Sequence, residues 1–330
     1  MSEKIIIPKK IAKGSHIRVI ALSRSMSLLS QEVIDIATKR LTNFGFIVSF
    51  GKNVYEKDEF MSSSVESRIQ DLHEAFVDDT IDAIFTVIGG YNCNQLLSYI
   101  DYNLIKTNPK ILCGFSDITA VANAITVMTG MITYTGPHYS SWAMLKGFDY
   151  SIENFEKCLM QKDSYFLTPS KDWSDDPWFL DQENRQMIQN EGYWVINEGQ
   201  EIGKTVGAHF RCLGALQGTK YMPKLQDSII LLEEDEEINP QIFDRQLQSL
   251  IHQEDFSGVK GILIGRFQKN SNMTRNLLQE IISKKTELKN IPIIANVNFG
   301  HTTPTSTLPI GGVVEIISKG KIATIKVIEH

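Results

Sequence analysis

Two hydrophobic periods alternate along the first 150 residues. Short apolar runs typical of buried strands are separated by stretches in which apolar residues recur every three or four positions, as on one face of a helix. The strand-like runs are 17–21, 47–50, 83–88, 111–115 and 132–135. One helical face carries Val33, Ile36, Ala37 and Leu41, and another carries Ile69, Leu72 and Phe76. This order predicts an α/β domain over residues 1–150 with a parallel sheet, Rossmann-like or flavodoxin-like.

The pattern changes twice in the remainder of the chain. Residues 151–204 are polar and aromatic-rich, which predicts a connecting segment, and this segment contains Trp173, Trp178 and Trp194. These indoles either pin a long loop to the surface or stack on a ligand. Residues 205–330 have short apolar runs and predict a separate, smaller, strand-rich α+β domain. Its expected strands are 228–232, 261–267, 293–298, 313–316 and 322–327, and its clearest helix starts with Asn239 as cap and Pro240 as first residue.

Composition narrows the function classes. The net charge is −6 without a basic stripe, which disfavours nucleic-acid binding, and no apolar run approaches the ~20 residues that cross a bilayer. The four cysteines are scattered without C-x-x-C spacing, which argues against a zinc site and against a disulfide framework. We therefore expect a cytoplasmic protein. The sequence contains no G-x-x-x-x-G-K-[ST] and no G-x-G-x-x-G motif, so nucleotide-dependent chemistry is disfavoured.

Three small or polar loops follow predicted parallel strands, at 23–25, 89–92 and 114–117. Because ligands gather at the carboxyl ends of such strands, these loops are expected to share one edge of the sheet. In the third loop, Ser116 lies between an apolar run and a helix-patterned stretch, which is typical of a nucleophile elbow. Only Gly114 of the usual G-x-S-x-G pattern is present, so Ser116 as a plain helix N-cap remains an alternative.

A catalytic serine needs a base and an orienting acid. Of the seven histidines, His301 stands out because it follows a glycine at the end of an apolar run and opens a loop. An acidic run, 233–237, follows a strand-like segment, with Glu233 as first candidate for the acid and Glu234 as second. Adjacent positions of an extended segment face opposite ways, so only one of these two can orient the histidine. Gly89-Gly90 is either an oxyanion loop or a tight turn.

Four motifs in order resemble the LD-carboxypeptidase family of serine peptidases, which includes the microcin C immunity proteins. They are Gly89-Gly90-Tyr91-Asn92, Gly114-Phe115-Ser116-Asp117, Leu232-Glu233-Glu234, and Gly300-His301 with Leu308-Pro309-Ile310-Gly311. The resemblance implies a triad divided between the domains, with Ser116 as nucleophile, Glu233 as orienting acid and His301 as general base. It implies that the backbone N–H groups of Gly90 and Asp117 form the oxyanion hole. It also implies a homodimer, and no metal or organic cofactor is required.

The chain departs from the family pattern at two places. The residue after the catalytic Glu is commonly Asp, but here it is Glu234, and the acidic run leaves the register ambiguous by one residue. The segment 208–213 stands where relatives tend to have a glycine-asparagine turn, and Arg211 within it is a candidate for holding a terminal carboxylate.

The resulting hypothesis is a serine carboxypeptidase acting on a small peptide or peptide-like amide. The substrate is either an LD-peptide bond of a murein tetrapeptide or an aminoacyl-nucleotide conjugate, and Trp173 and Trp178 favour the second because an indole can stack on a nucleobase. The alternative is a non-catalytic two-domain protein that binds a small molecule. No nucleic-acid or membrane partner is expected.

Overall fold

The computed structural model describes residues 5–330; residues 1–4, which the predicted first domain included, lie outside that range. The strands are β1 (His16–Ile20), β2 (Ile47–Phe50), β3 (Ala83–Thr86), β4 (Ile111–Cys113), β5 (Thr133–Thr135), β6 (Tyr165–Leu167), β7 (Asp172–Trp173), β8 (Ile188–Gln189), β9 (Trp194–Asn197), β10 (Gly199–His209), β11 (Ser228–Glu233), β12 (Gly261–Gly265), β13 (Ile293–Val297), β14 (Leu308–Ile310), β15 (Val313–Lys319) and β16 (Ile322–Glu329). The α-helices are α1 (Gln31–Phe44), α2 (Val65–Val77), α3 (Tyr102–Thr107), α4 (Thr119–Thr129), α5 (Asp149–Phe155), α6 (Phe210–Gly214), α7 (Pro240–Ile251) and α8 (Arg275–Ser283).

The first sheet has six strands in the order β14-β5-β4-β3-β1-β2. Its first five strands in the chain pair in parallel, and β14 is added antiparallel to β5. The order 2-1-3-4-5 is that of flavodoxin-like sheets, whose ligands bind where the winding reverses, between β1 and β3. Side chains of β3 alternate between two cores: Ala83 and Phe85 pack on the α1 side, and Ile84 packs on the side of α2 and α4. The predicted parallel α/β architecture is confirmed.

The second sheet has eight strands in the order β6-β16-β15-β10-β11-β12-β13-β9. Its centre, β10 to β13, is parallel, and antiparallel strands extend it on both sides. The strand-rich character predicted for the second half is confirmed, and helix α7 begins at Pro240 with Asn239 as its cap. Helices α6, α7 and α8 cover one face of this sheet. The other face contributes Ile229, Leu231 and Leu263 to the core that β3 also enters, so the two halves share one continuous core.

The segment 151–204, expected to be a connection between domains, also contributes strands to the second sheet. Strands β6 and β9 lie within it and pair with β16 and β13, and β10 begins at Gly199, before the expected domain start. Strand β10 was missed because three glycines and several polar residues interrupt its hydrophobic alternation; its pairing with β11 and β15 stabilises it instead. The domain boundaries expected after residues 150 and 204 stay predictions.

The junction between the sheets is built from hydrogen bonds beside the site. The buried side chain of Asn123, on α4, accepts from the N–H of Gly207 at 2.9 Å and donates to its carbonyl at 3.0 Å. The backbone N–H of His209 donates to Thr119 Oγ1 at 3.1 Å. Because α4 starts just after Ser116, these bonds fix the end of β10 relative to the Ser116 turn.

Across residues 5–330, no helix combines the length and the apolar character needed to cross a membrane. The four cysteines are free, and three of them are buried.

Candidate active site

Ser116 lies on a strained turn between β4 and α4. It has φ +60°, a left-handed conformation that is uncommon for a residue with a side chain, and it opens the short 3-10 turn Ser116–Ile118. The cap of this turn is Phe115, and no side chain caps either the turn or α4. Ser116 is therefore not the helix cap that the alternative interpretation required. A strained turn of this kind lifts the serine side chain away from the sheet.

The glycine loop after β3 lies directly against this serine. A Cβ placed on Gly89 would be 2.9 Å from Ser116 Cβ and 3.0 Å from Ser116 Oγ, so a side chain there would displace the serine. The carbonyl of Gly89 accepts from the N–H of Arg24, and the Arg24 guanidinium lies 5.1 Å over the Tyr91 ring. The loop is thus held from the side of the first strand, which is what a preorganised donor loop requires.

The three residues proposed as a triad come together from two sheets. Nε2 of His301 lies 3.1 Å from Ser116 Oγ, and its Nδ1 lies 2.7 Å from Glu233 Oε2. Glu233 ends β11, and His301 follows β13, so both stand at the carboxyl edge of the parallel part of the second sheet. Both distances fall in the range expected between a nucleophile, its base and an orienting acid.

Glu233 is buried, and His301 is its side-chain hydrogen-bond partner among the described residues. Its side chain is 1% exposed, and a Cβ on Gly300, whose φ is +100°, would lie 2.3 Å from Glu233 Oε2. Burial alone would raise the pKa of Glu233, but the charge and hydrogen bond of His301, with the charge of His209, outweigh it and lower that pKa. Glu233 is therefore ionised when it faces a protonated His301, as an orienting acid must be.

Glu234 points the other way, as alternation along an extended segment predicts. Its Oε2 accepts from Arg211 Nε at 3.0 Å, and its side chain has no exposure. Burial raises the pKa of Glu234 to about 7, against the opposing charges of His209 and Arg211. Glu234 has no hydrogen bond to His301 among the described contacts, so the geometry assigns the histidine to Glu233.

Arg211 lines the cleft but its charge is already paired. Besides Glu234, its guanidinium donates to Glu237 Oε2 at 2.9 Å and to Asp235 Oδ1. Burial opposes the charged form, yet the bond to Glu237 and the charges of Glu234 and Asp235 raise the pKa of Arg211. A substrate carboxylate would have to compete with three carboxylates for this group.

His209 is the residue near the site to which sequence reasoning gave no role. Its ring centre is 5.3 Å from that of His301, and its Nδ1 lies 3.1 Å from Cys212 Sγ. Burial disfavours its charged form, but Asp235, Cys212 and the charge of Glu233 outweigh burial and raise the pKa of His209 well above its usual value. The sequence signal for this residue was the departure from the family pattern that begins at Ala208-His209. The backbone is unusual there, because Ala208 has φ +133°.

The two proposed oxyanion donors are the backbone N–H groups of Asp117 and Gly90. The N–H of Asp117 belongs to the first turn after the nucleophile, where backbone donors have no partner within the helix. The Asp117 carboxylate accepts from Ser23 Oγ at 2.6 Å and from the N–H of Cys93 at 2.9 Å, which ties this turn to the loops after β1 and β3. Gly90, beside Gly89, lines the same cleft.

His138, a further buried histidine beside the cleft, is neutral. Its Nδ1 lies 2.8 Å from Thr86 Oγ1, and its ring stacks on Phe115 at 4.3 Å. Burial and the neighbouring charge of His301 lower the pKa of His138 to about 3. It therefore supports Phe115 as a packing partner and adds no charge beside Ser116.

The site opens into a cleft of about 710 Å³ that contains Ser116, His301 and Arg211. Trp178 lines this cleft, whereas Trp173 is not among its described lining residues; Arg266 and Lys269 lie over the Trp173 ring at 5.2 and 5.7 Å. Trp194 lies in β9, and its indole N–H donates to the carboxylate of Glu191. The tryptophans expected to act together thus occupy different environments.

Comparison with known families accounts for most of the chain. Residues 17–136 match the LD-carboxypeptidase N-terminal domain, and residues 202–316 match the LD-carboxypeptidase C-terminal domain. A putative carboxypeptidase of Bacillus subtilis, YocD, is 50% identical over 307 residues, covering 93% of this chain and 94% of YocD. A probable murein peptide carboxypeptidase of the same organism is 26% identical over 322 residues, covering 97% of this chain and 94% of its own.

Solved structures of related proteins superpose on this chain over nearly its full length. An MccF-like protein from Bacillus anthracis superposes with a TM-score of 0.97 at 50% identity, covering 98% of this chain and 100% of its own. The microcin C7 self-immunity protein MccF, known from Escherichia coli, has been solved in complex with aspartyl sulfamoyl adenosine. That structure superposes with a TM-score of 0.87 at 26% identity, covering 98% of this chain and 99% of its own.

Proposed function

The chain belongs to the LD-carboxypeptidase family, and from this membership we propose that it is a serine peptidase of the carboxypeptidase type with Ser116, His301 and Glu233 as its triad. The single observation that carries this proposal is the chain of contacts from Ser116 Oγ through His301 to Glu233, 3.1 and 2.7 Å long. Three residues that are far apart in sequence meet in the order that acyl transfer requires.

The mechanism follows from this order. Ser116 Oγ attacks the scissile carbonyl while His301 Nε2 takes its proton, and ionised Glu233 stabilises the imidazolium through Nδ1. The N–H groups of Gly90 and Asp117 donate to the oxyanion that forms. His301 then returns the proton to the leaving amine. Water, activated by the same histidine, releases the acyl group from Ser116.

The proposed substrate is a small peptide or peptide-like amide cut on its C-terminal side. Two classes within the family fit: an LD-peptide bond of a murein tetrapeptide, and an aminoacyl-nucleotide conjugate. The relative named a probable murein peptide carboxypeptidase supports the first class, and the MccF complex with aspartyl sulfamoyl adenosine supports the second. Trp178 favours the second class because a half-buried indole that lines the cleft offers a stacking surface for a nucleobase.

The charged residues that line the cleft set a condition on substrate charge that both substrate classes meet. Among the described lining residues, the carboxylates are Asp117, Asp175, Asp176, Asp235, Glu236 and Glu237, and the guanidinium groups are Arg24 and Arg211. An excess of carboxylates favours a substrate that carries a free ammonium group and disfavours a polyanion. An aminoacyl adenylate analogue and an amino-bearing peptide both meet this condition.

Parallel assays of the two substrate classes test the proposal. Release of D-Ala from a murein tetrapeptide and cleavage of an aminoacyl sulfamoyl-adenosine are measured with wild-type protein and with Ser116→Ala. We expect hydrolysis of at least one substrate by the wild type and loss of that hydrolysis in Ser116→Ala. Wild-type turnover that survives in Ser116→Ala would contradict the proposed nucleophile. Binding without hydrolysis of either substrate would favour the non-catalytic alternative.

Trp178 and Trp173 form a matched pair for the choice between substrates. We expect Trp178→Ala to raise KM for the nucleotide conjugate by about tenfold, the value of one lost base–indole stack, and to leave D-Ala release within about twofold. Trp173→Ala, which removes an indole outside the cleft lining, is expected to change neither KM. Equal loss of both activities in Trp178→Ala would contradict the stacking role.

A further inference from the structure

Three potential metal ligands converge in the cleft from three strand ends of the second sheet. They are His209 at the end of β10, Asp235 after β11 and His301 after β13, and one ligand atom from each lies within 4.8 Å of the other two. The three lie at the ends of separate strands, so their convergence follows from the parallel order of β10, β11, β12 and β13 rather than from sequence proximity.

The strongest observation is the state of the His209 imidazole. Its Nε2 is buried and has no hydrogen-bond partner among the described residues. The nearest carboxylate oxygens belong to Glu234 and Asp235, at 3.6 and 3.7 Å. Glu234 Oε2 is engaged by Arg211 Nε, and Asp235 uses its other oxygen, Oδ1, for the same guanidinium. Asp235 Oδ2 therefore remains to face His209. The carboxylates that favour a proton on His209 would equally favour a metal cation, and zinc bound at Nε2 would replace that proton, which is released to solvent.

The separation between His209 and Asp235 suits a bridging cation better than a direct hydrogen bond. Zinc–nitrogen and zinc–oxygen bonds of about 2.0–2.2 Å in tetrahedral geometry place two ligand atoms about 3.3–3.5 Å apart. The observed 3.7 Å between His209 Nε2 and Asp235 Oδ2 needs only a small contraction. Two imidazoles and one carboxylate are also a donor set that zinc uses, with a fourth position left open.

We propose that His209, Asp235 and His301 form a zinc-binding site, and that zinc bound there blocks the proposed hydrolysis. His301 would contribute Nε2, the atom 3.1 Å from Ser116 Oγ. A lone pair donated to zinc is not available to accept the serine proton, so the metal is a reversible inhibitor and takes no part in turnover. The inhibition rests on the proposed function, whereas the binding does not.

Binding is tested directly, without an activity readout. Equilibrium dialysis of the full chain with Zn²⁺ measures the stoichiometry and Kd, and Co²⁺ substitution reports tetrahedral coordination through its visible absorption bands. We expect one metal ion per chain, with binding at least about tenfold weaker in His209→Gln and in Asp235→Asn. His252→Gln, which removes an exposed histidine of a helix end, is the matched control and should bind as the wild type does.

Ser116→Ala gives a second measurement that does not depend on altering a buried ligand. It removes the hydroxyl next to His301 Nε2, so we expect zinc binding to be retained or tightened. Reversible inhibition of the wild type by Zn²⁺, relieved by a chelator, is the expected kinetic result. Absence of stoichiometric zinc binding by the wild type, or unchanged binding in folded His209→Gln, would overturn the site. Stoichiometric binding in a protein that hydrolyses neither substrate would leave the zinc site standing and refute only the peptidase proposal.

Discussion

The two halves of the site are built by different physical means. On the first sheet, Ser116 is positioned by backbone: a left-handed φ of +60° and a glycine whose missing side chain leaves room for the serine. On the second sheet, Glu233 and His301 are positioned by buried charge, in a group that also contains Glu234, Asp235, Arg211 and His209. The position of Ser116 therefore depends on steric fit. The positions of Glu233 and His301 depend on which ionised group faces which partner.

This difference explains how each half tolerates change. A steric arrangement is disturbed by adding one carbon, because a close-packed turn has no space to yield. A buried charge network is disturbed by neutralising one member, because the remaining charges lose a partner that burial makes costly to lose. Each of the following substitutions acts on one half only.

The largest effect is expected from the neighbouring carboxylates of the charged half. Glu233→Gln should lower kcat by about 10³–10⁴-fold, because a neutral amide neither selects the required His301 tautomer nor stabilises the imidazolium. Glu234→Gln is the matched control and should cost less than about tenfold, because Glu234 has no hydrogen bond to His301. The measurement is kcat on whichever substrate is hydrolysed. A larger loss of kcat in Glu234→Gln than in Glu233→Gln would show that Glu234, and not Glu233, is the orienting acid.

An intermediate effect is expected from one added methyl group in the backbone-built half. Gly89→Ala places a carbon 2.9 Å from Ser116 Cβ, and displacement of the serine by about 1 Å should reduce kcat by about 100-fold. Gly214→Ala serves as control, because a Cβ there meets nothing within 4 Å. Circular dichroism and thermal unfolding establish that both variants fold. Wild-type kcat in a folded Gly89→Ala would show that the serine is not sterically positioned.

The smallest effect concerns stability in the charged half and its dependence on pH. The pKa of Glu234 is raised from 4.5 to about 7, so between these values the folded chain holds a proton that the unfolded chain releases. Its contribution to stability is therefore present below pH 4.5 and is lost as the pH rises through 7. Glu234→Gln removes this dependence, so the unfolding free energy of the variant minus that of wild type should rise by about 1–3 kcal/mol from pH 4.5 to about pH 8.

Chemical denaturation at the two pH values measures this gain. Asp235→Asn provides a contrast: the hydrogen bonds and charges around Asp235 outweigh burial and lower its pKa, so its stabilisation is lost only as the pH falls below 3.8. The stability difference between Asp235→Asn and wild type should therefore stay constant between the two pH values. The same difference between Glu234→Gln and wild type at both pH values would contradict the burial argument.

The contrast between the halves also decides what the sequence was able to predict. The backbone-built half is local: Gly89-Gly90 and Gly114 to Asp117 each lie within a few residues, at strand ends that the hydrophobic period identifies. The alternation of strands and helices likewise predicted the parallel first sheet. The resemblance of four ordered motifs to a family then joined Ser116 to Glu233 and His301, which no local pattern connects.

The charged half was only partly predictable because its partners come from separate strands. Alternation showed that Glu233 and Glu234 face opposite ways, but not which one meets His301. Strand β10 escaped detection, so the place of His209 at its end, 5.3 Å from the ring of His301, was not foreseen. The three-carboxylate cage around Arg211 depends on the register between β10 and β11, where His209 lies opposite Glu233. The separation of Trp178 from Trp173 is also a tertiary property.

Covalent labelling tests most directly whether Ser116 is a nucleophile activated by His301. Native protein is treated with a fluorophosphonate, and the modified residue is located by mass spectrometry, with heat-unfolded protein and His301→Asn as controls. We expect a single adduct on Ser116 of the native wild type, no adduct after unfolding, and labelling slowed by at least about 100-fold in His301→Asn. Absence of an adduct on Ser116 of the native protein, or equally rapid labelling in His301→Asn, would contradict the account.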